Sequence, residues 1–368
     1  MKLVLRVSTH LKPVLQSSAK NGFPRVIRCL ATHSAATPSP SPAQTQSSNQ
    51  HQYVFDRDVK RKQRNRAALK PESRQVDYLK DEVAKRLAER ILDIKRRFPT
   101  VLDLGSGPGY LIRYLDKEMT DRVVQIDSAE NMLLRDKDVE YEVPTERLVM
   151  DEEHMTFPEN TFDCVLSSFS LHWINNLPGV FKRVRQALKP DCPFIGAMLG
   201  GQTLFELRTA LQLAESEKEG GISPHVSPMT DVRDVGGLLS GAGFTLLTVD
   251  MDEIQVGYPS IYELMRDLRS MGESNAVASR KPYLRRETIQ RASEIYKEMY
   301  GNPDGTIPAT FNVLYLIGWK PDPKNPIKVK ERGSAESSFK DLDTLLDKAG
   351  AKIEHDSKDS VFIKPKKE

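Results

Sequence analysis

Between Thr100 and Leu111 the chain reads Thr-Val-Leu-Asp-Leu-Gly-Ser-Gly-Pro-Gly-Tyr-Leu, and Asp103 is the one charged side chain in the run. It sits in an apolar, strand-like stretch two residues before Gly105, where an ionised carboxylate repels a pyrophosphate and attracts a ligand that carries an amino group. Gly105, Gly107 and Gly109 then let the backbone turn sharply while a ligand approaches without meeting a Cβ. Tyr110 stands where the dinucleotide fingerprint G-x-G-x-x-G needs its third glycine, so the pattern is D-x-G-x-G-x-G, with Ser106 inside the loop. The same string also suits an ordinary strand-turn-helix with no ligand.

Two further acids fall where strands end. Arg122-Val-Val-Gln-Ile-Asp127 reads as a second strand, and Asp127 lies roughly 20 residues beyond the glycines, the spacing at which a carboxylate accepts both hydroxyls of a ribose. Ser128 is the expected N-cap of the helix that follows. Glu146-Arg-Leu-Val-Met150 ends at Asp151, with Glu152 beside it, and a carboxylate at that edge can take an adenine amino group. Cys164 to Trp173 runs out at the same edge, placing Phe169, His172 and Trp173 over the expected pocket. Its Ser167-Ser-Phe-Ser170 lacks the Asn/Asp-Pro-Pro-Tyr/Phe run of base-modifying amino-methyltransferases. His172 beside Trp173 suits a packed, hydrogen-bonded lid as well as a substrate contact.

The elements that hold these residues alternate between the two periods. Val76, Leu79, Val83, Leu87, Ile91 and Ile94 recur at helical spacing before the first strand, and Tyr110 to Lys117 is the expected helix after it. Pro193 to Leu199 and Gly241 to Val249 read as strands five and six, and Thr310 to Trp319 as a final, antiparallel edge strand. Tyr258 to Tyr300 reads as an inserted helical cap. Such βα alternation predicts an α/β, doubly wound, seven-stranded sheet over residues 100–320. Residues 53–99 are the expected covering helices. Six basic side chains between Arg57 and Arg66 read as a solvated face, with Tyr53 and Phe55 as the part that docks. Residues 321–368 are an expected mobile tail with a short amphipathic piece at 339–346.

The net charge of +3 hides a split, because six Lys or Arg and no Asp or Glu precede Asp56, leaving 48 basic against 51 acidic residues in the body. A slightly acidic body argues against general nucleic-acid binding. The basic, Ser-rich first 52 residues read as a mitochondrial transit peptide and disordered leader, with apolar Val4, Leu5, Val7 and Leu11 on one side of a short helix. Cys29, Cys164 and Cys192 form no C-x-x-C, which fits a reducing compartment and no metal site. No apolar run approaches the roughly 20 residues that span a bilayer.

The Asp103 loop, Asp127, Asp151, the Ser-Phe-Ser-Leu-His-Trp run and Leu188-Lys-Pro-Asp191 together resemble class I S-adenosylmethionine-dependent methyltransferases, in the branch of the malonyl-carrier-protein methyltransferases. Longer strings, such as Val54-Phe-Asp-Arg-Asp-Val-Lys-Arg-Lys-Gln63, Gly200-Gly-Gln-Thr-Leu-Phe-Glu-Leu-Arg208 and Met271-Gly-Glu-Ser-Asn275, resemble a mitochondrial family of complex I assembly factors on this fold. Ser106 replaces the cysteine of the usual D-L-G-C-G. The resemblance implies S-adenosyl-L-methionine held by Asp103, Gly105, Ser106, Gly107, Gly109, Asp127, Asp151 and Glu152. It also implies hydroxylation of an arginine in the iron–sulfur subunit 7 of complex I during early assembly, in the matrix and peripheral to the inner membrane. The residues themselves show no oxidant, because none of the seven His begins H-x-D or H-x-E. A guanidinium needs a carboxylate and an aromatic face, and Glu206, Asp252 and Glu253 with Tyr53, Phe169 and Trp173 are the candidates. A methyltransferase of a carrier-bound or small carboxylate, and a non-catalytic assembly chaperone, are the alternatives.

Overall fold

A computed structural model describes residues 4–5, 53–324, 351–355 and 361–365. The transit-peptide leader and the amphipathic piece at 339–346 therefore lie outside the described residues, except for β1 (Val4–Leu5). That pair is a strand, parallel to Gln255 and Val256, and not the helix expected there.

After α1 (Arg57–Ala68) and α2 (Tyr78–Leu92) come β2 (Thr100–Leu104), β3 (Arg122–Asp127), α3 (Glu130–Leu133) and β4 (Thr145–Val149). The chain continues through β5 (Cys164–Ser168), α4 (Leu177–Ala187), β6 (Pro193–Leu199), α5 (Phe205–Glu219) and α6 (Val232–Gly241). It closes with β7 (Thr245–Tyr258), α7 (Ile261–Ser270), α8 (Arg286–Tyr300) and β8 (Ile307–Trp319). The sheet order is β1-β7-β8-β6-β5-β2-β3-β4. It is the expected doubly wound α/β sheet, seven main strands with the inserted helical pair α7 and α8, and β1 adds a short eighth. By itself, the segment beyond residue 322 contains a two-stranded antiparallel ladder of β9 (Ala351–His355) and β10 (Val361–Pro365).

Order follows from burial. The Leu79, Val83, Leu87 and Ile91 stripe of α2 packs with Leu207 and Leu211 of α5 and Ile295 and Tyr296 of α8 on one face of the sheet. Phe181 and Val184 of α4 and Val235 and Leu239 of α6 cover the other face. Each such side chain contributes roughly 1.5–3 kcal/mol on leaving water.

Three expectations are corrected. Strand β8 is antiparallel but interior, paired on both sides with β6 and β7, which is why its residues from Ile307 to Leu316 are all buried. The helix expected from Tyr110 to Lys117 is a single 3-10 turn, Leu111–Tyr114, because Leu115 returns to extended backbone. The N-cap of helix α3 is Ala129, one residue after the expected Ser128, and its lead-in is tied by Asp127 Oδ1 accepting the Ala129 N–H at 2.8 Å.

Chain order leaves a crevice at the end of β2. The chain passes from β2 to β3 and β4 on one side, then crosses back to β5 on the other. In open α/β sheets that reversal is where ligands bind.

Candidate functional site

Asp103 lies on β2 and is 1% exposed. Gln125 Nε2 donates to its Oδ2 at 3.4 Å, while Oδ1 has no partner. Burial pushes this carboxyl up to about 7, and the Gln125 bond only partly opposes the rise. An orphaned carboxylate oxygen of this kind suits an incoming amino group. The turn beside it is tight: Gly105 has φ +68°, and a Cβ there would lie 2.1 Å from Ser170 Oγ. The buried Ser106 N–H donates to Ile126 O at 3.0 Å, tying the turn to β3.

Asp127 is fully buried at the end of β3, where Gly107 N–H donates to its Oδ2 at 2.9 Å. Asp151 and Glu152 follow the end of β4, and Ser170 Oγ donates to Glu152 Oε1 at 3.0 Å. The structure thus gathers the four acids of the sequence reading at the carboxyl ends of β2, β3 and β4. It also supplies cations that sequence reasoning missed. Arg64 of α1 donates to Asp127 Oδ2 at 2.6 Å, and Arg57 donates to Asp151 Oδ1 at 2.7 Å and Glu152 Oε2 at 2.5 Å. Burial alone would lower Arg57, but Glu152 and Asp151 more than offset it and hold its guanidinium charged. Burial likewise opposes ionisation of Asp151, and Arg57 pulls its carboxyl below the usual range. The supposed solvated face of α1 is therefore partly an inward one: Lys60 and Arg64 are buried, and Arg61 is exposed. Of the two aromatics expected to dock, Phe55 packs edge-on against Trp173 at 5.4 Å, whereas Tyr53 is exposed.

A second group forms where β5 ends. Phe169 holds φ +61°, a conformation that costs a non-glycine residue about 1–3 kcal/mol, and it packs edge-on to His172. Trp173 Nε1 donates to Glu273 Oε2 at 2.6 Å, and Lys80 Nζ pairs with Glu273 Oε1 at 2.7 Å. His172 is buried with Nε2 3.5 Å from Glu273 Oε2 and Nδ1 without a partner, and burial lowers its pKa although Glu273 opposes that. Phe169, Trp173, Leu207, Met265 and Glu273 help to wall a cavity of about 640 Å³.

None of the three acids proposed for a guanidinium lines that cavity. Glu206 is buried and accepts from Thr310 Oγ1, Asp252 pairs with Arg86, and Glu253 is exposed on β7. The acid beside the aromatic wall is Glu273, just after α7, inside the Met271–Asn275 string that carries the resemblance but at no strand end. Among the described residues, no group of three or more His, Cys, Asp or Glu is arranged to hold a metal ion.

A methyltransferase-domain family matches residues 102–195, the stretch from within β2 to the first residues of β6. The human mitochondrial arginine-hydroxylase NDUFAF5 is 54% identical over 78% of this chain and 83% of its own length. Its Dictyostelium discoideum namesake is 40% identical over 83% of this chain and 73% of its own. A malonyl-[acyl-carrier protein] O-methyltransferase of Halorhodospira halophila is 32% identical over 67% and 82%.

Proposed function

The chain belongs to the family of mitochondrial NDUFAF5 arginine-hydroxylases, and we propose on that footing that it hydroxylates an arginine of a protein partner on a methyltransferase scaffold. The observation that carries the reading is the 54% identity maintained over 83% of the human relative, against 32% for the carrier-protein methyltransferase. We assign the partner as the iron–sulfur subunit 7 of complex I in an early assembly intermediate. The place of action is the mitochondrial matrix at the surface of the inner membrane. Among the described residues no helix is long and apolar enough to cross a membrane.

S-adenosyl-L-methionine is the ligand we assign to the crevice beside β2, and the residues fit it. Asp103 Oδ1, buried without a partner, would accept from the amino group, and Gly105, Ser106, Gly107 and Gly109 would supply the close turn. Asp127 would take the ribose hydroxyls, and Asp151 with Glu152 the adenine side. When bound, this group brings a sulfonium and a transferable methyl. The outer acids are already paired with Arg64 and Arg57, so a nucleoside must share them or move α1 aside. Hydroxylation replaces C–H by C–OH with the oxygen atom and a two-electron oxidant drawn from a co-substrate, and the chain's part in it is to bind the arginine, exclude water and hold it in register. A buried guanidinium needs a carboxylate partner for that.

The methyltransferase-domain match on residues 102–195 favours a second reading, methylation of a carrier-bound or small carboxylate. Mass spectrometry of subunit 7 from cells lacking the protein separates the two. Loss of one oxygen from an arginine is expected. Loss of a methyl instead supports methylation, and an unaltered subunit leaves an assembly chaperone.

A further inference from the structure

Helix α1 places a cation against an aromatic wall where a substrate cation is wanted. Lys60 Nζ lies 3.3 Å from the centroid of the Trp173 ring and donates to Gly272 O at 3.1 Å and Ser274 O at 2.6 Å. The next carboxylate is Glu273, which already accepts from Trp173 and pairs with Lys80. Two buried ammonium groups therefore draw on one carboxylate, and Arg64 and Arg280 add further positive charge nearby. Burial pushes Lys60 well below the usual lysine range, an effect Glu273 only partly offsets. An ammonium so placed has only a share in one carboxylate and is held by the two carbonyls and the Trp173 face.

We propose that the Trp173 face, Glu273 and the carbonyls of Gly272 and Ser274 form the seat for the substrate guanidinium, with Lys60 a built-in occupant that the substrate displaces. The proposal rests on the arginine reading above and adds the binding residues to it. A guanidinium suits this seat better than an ammonium does. It is planar and weakly hydrated, stacks on an indole face, and spreads five N–H donors over a fork that two carbonyls and a carboxylate can accept. Trp173, Glu273 and Ser274 also wall the cavity of about 640 Å³, which gives an arginine side chain and the backbone that carries it a place to lie. The competing explanation is that Lys60 only satisfies carbonyls left open beyond the end of α7.

Fluorescence separates the two. The sequence holds two tryptophans, so Trp319→Phe leaves Trp173 as the only reporter. N-acetyl-arginine amide is titrated into the full protein on that background, with the neutral isostere N-acetyl-citrulline amide as control. The arginine amide is expected to change Trp173 emission and the citrulline amide to leave it unchanged. Lys60→Met should strengthen arginine-amide binding by roughly tenfold or more, the gain when a binding-competent state of a few per cent becomes the dominant one. Lys60→Arg guards against misfolding of the methionine variant. It keeps a cation in place, so it should fold, shift Trp173 emission by itself and weaken the added arginine amide. Unchanged or weaker binding in Lys60→Met, with Lys60→Arg also neutral, overturns the proposal and leaves Lys60 as a carbonyl cap. A silent Trp173 in a protein whose partner still acquires hydroxylated arginine refutes the seat alone. A responsive Trp173 with no hydroxylated arginine refutes the arginine-hydroxylase reading alone.

Discussion

Replacing Asp103 by asparagine should make the ligand-free protein more stable at neutral and alkaline pH, although it deletes a residue of the site. The carboxyl titrates at 3.8 in the open chain and at about 7 in the fold, where burial disfavours its charge. Below about pH 4 both states are protonated and the substitution is neutral on this score. Between about pH 4 and 7 the folded protein keeps a proton that the unfolded chain has released. Wild type therefore loses about 1.4 kcal/mol per pH unit relative to the amide, reaching a constant deficit of about 4 kcal/mol above pH 7. The amide keeps the Gln125 contact through its oxygen, but its NH2 takes the place of the partnerless Oδ1, which costs about 1–3 kcal/mol. A net gain of about 1–3 kcal/mol remains. Urea denaturation of wild type and Asp103→Asn at pH 4, 6 and 8 reads it out, the expected gap opening as pH rises. The same variant should bind S-adenosylmethionine about 10- to 150-fold more weakly by calorimetry, since a hydrogen bond to a charged group is lost. A gap that stays flat with pH, or an amide less stable than wild type at pH 8, refutes the claim that Asp103 is a buried, ligand-directed carboxylate that destabilises the ligand-free fold.

Arg64→Met leaves Asp127 buried without its cation, so ligand-free stability should fall by about 3–5 kcal/mol, with part of the loss recovered by S-adenosylmethionine in a thermal-shift titration. Glu206→Gln should cost about 1–3 kcal/mol through its Thr310 contacts and leave arginine-amide binding unchanged, as Trp173 emission will show. Residues 1–52 fused to a fluorescent reporter should carry it to mitochondria in live-cell imaging; a cytosolic reporter contradicts the leader reading.

Local signals made the centre of the site legible. The glycine turn, the apolar strands and the spacing from Gly107 to Asp127 are short-range properties, and Asp103, Asp127, Asp151 and Glu152 duly fall at one sheet edge. What stayed hidden is tertiary. No periodicity could announce that Arg57 and Arg64 would turn inward onto acids from 63 to 95 residues away. The same helix shows its limit at Lys60, which looks like any surface lysine until Trp173 and the chain after α7 are folded against it. Glu273 escaped for a related reason, since it belongs to no strand end and takes its role only from Trp173 and Lys80. Strand β8 was misplaced at an edge because alternation in its residues mimics a half-exposed strand, whereas pairing to β6 and β7 buries it.

The most direct measurement co-expresses the complex I iron–sulfur subunit 7 with the wild-type chain or with Asp103→Ala, and reads the subunit's arginines by mass spectrometry. An arginine bearing one added oxygen with wild type, and none with a folded Asp103→Ala protein, is the expected result. An unmodified arginine with wild type, a methyl in place of the oxygen, or full hydroxylation by the Asp103→Ala protein would contradict it.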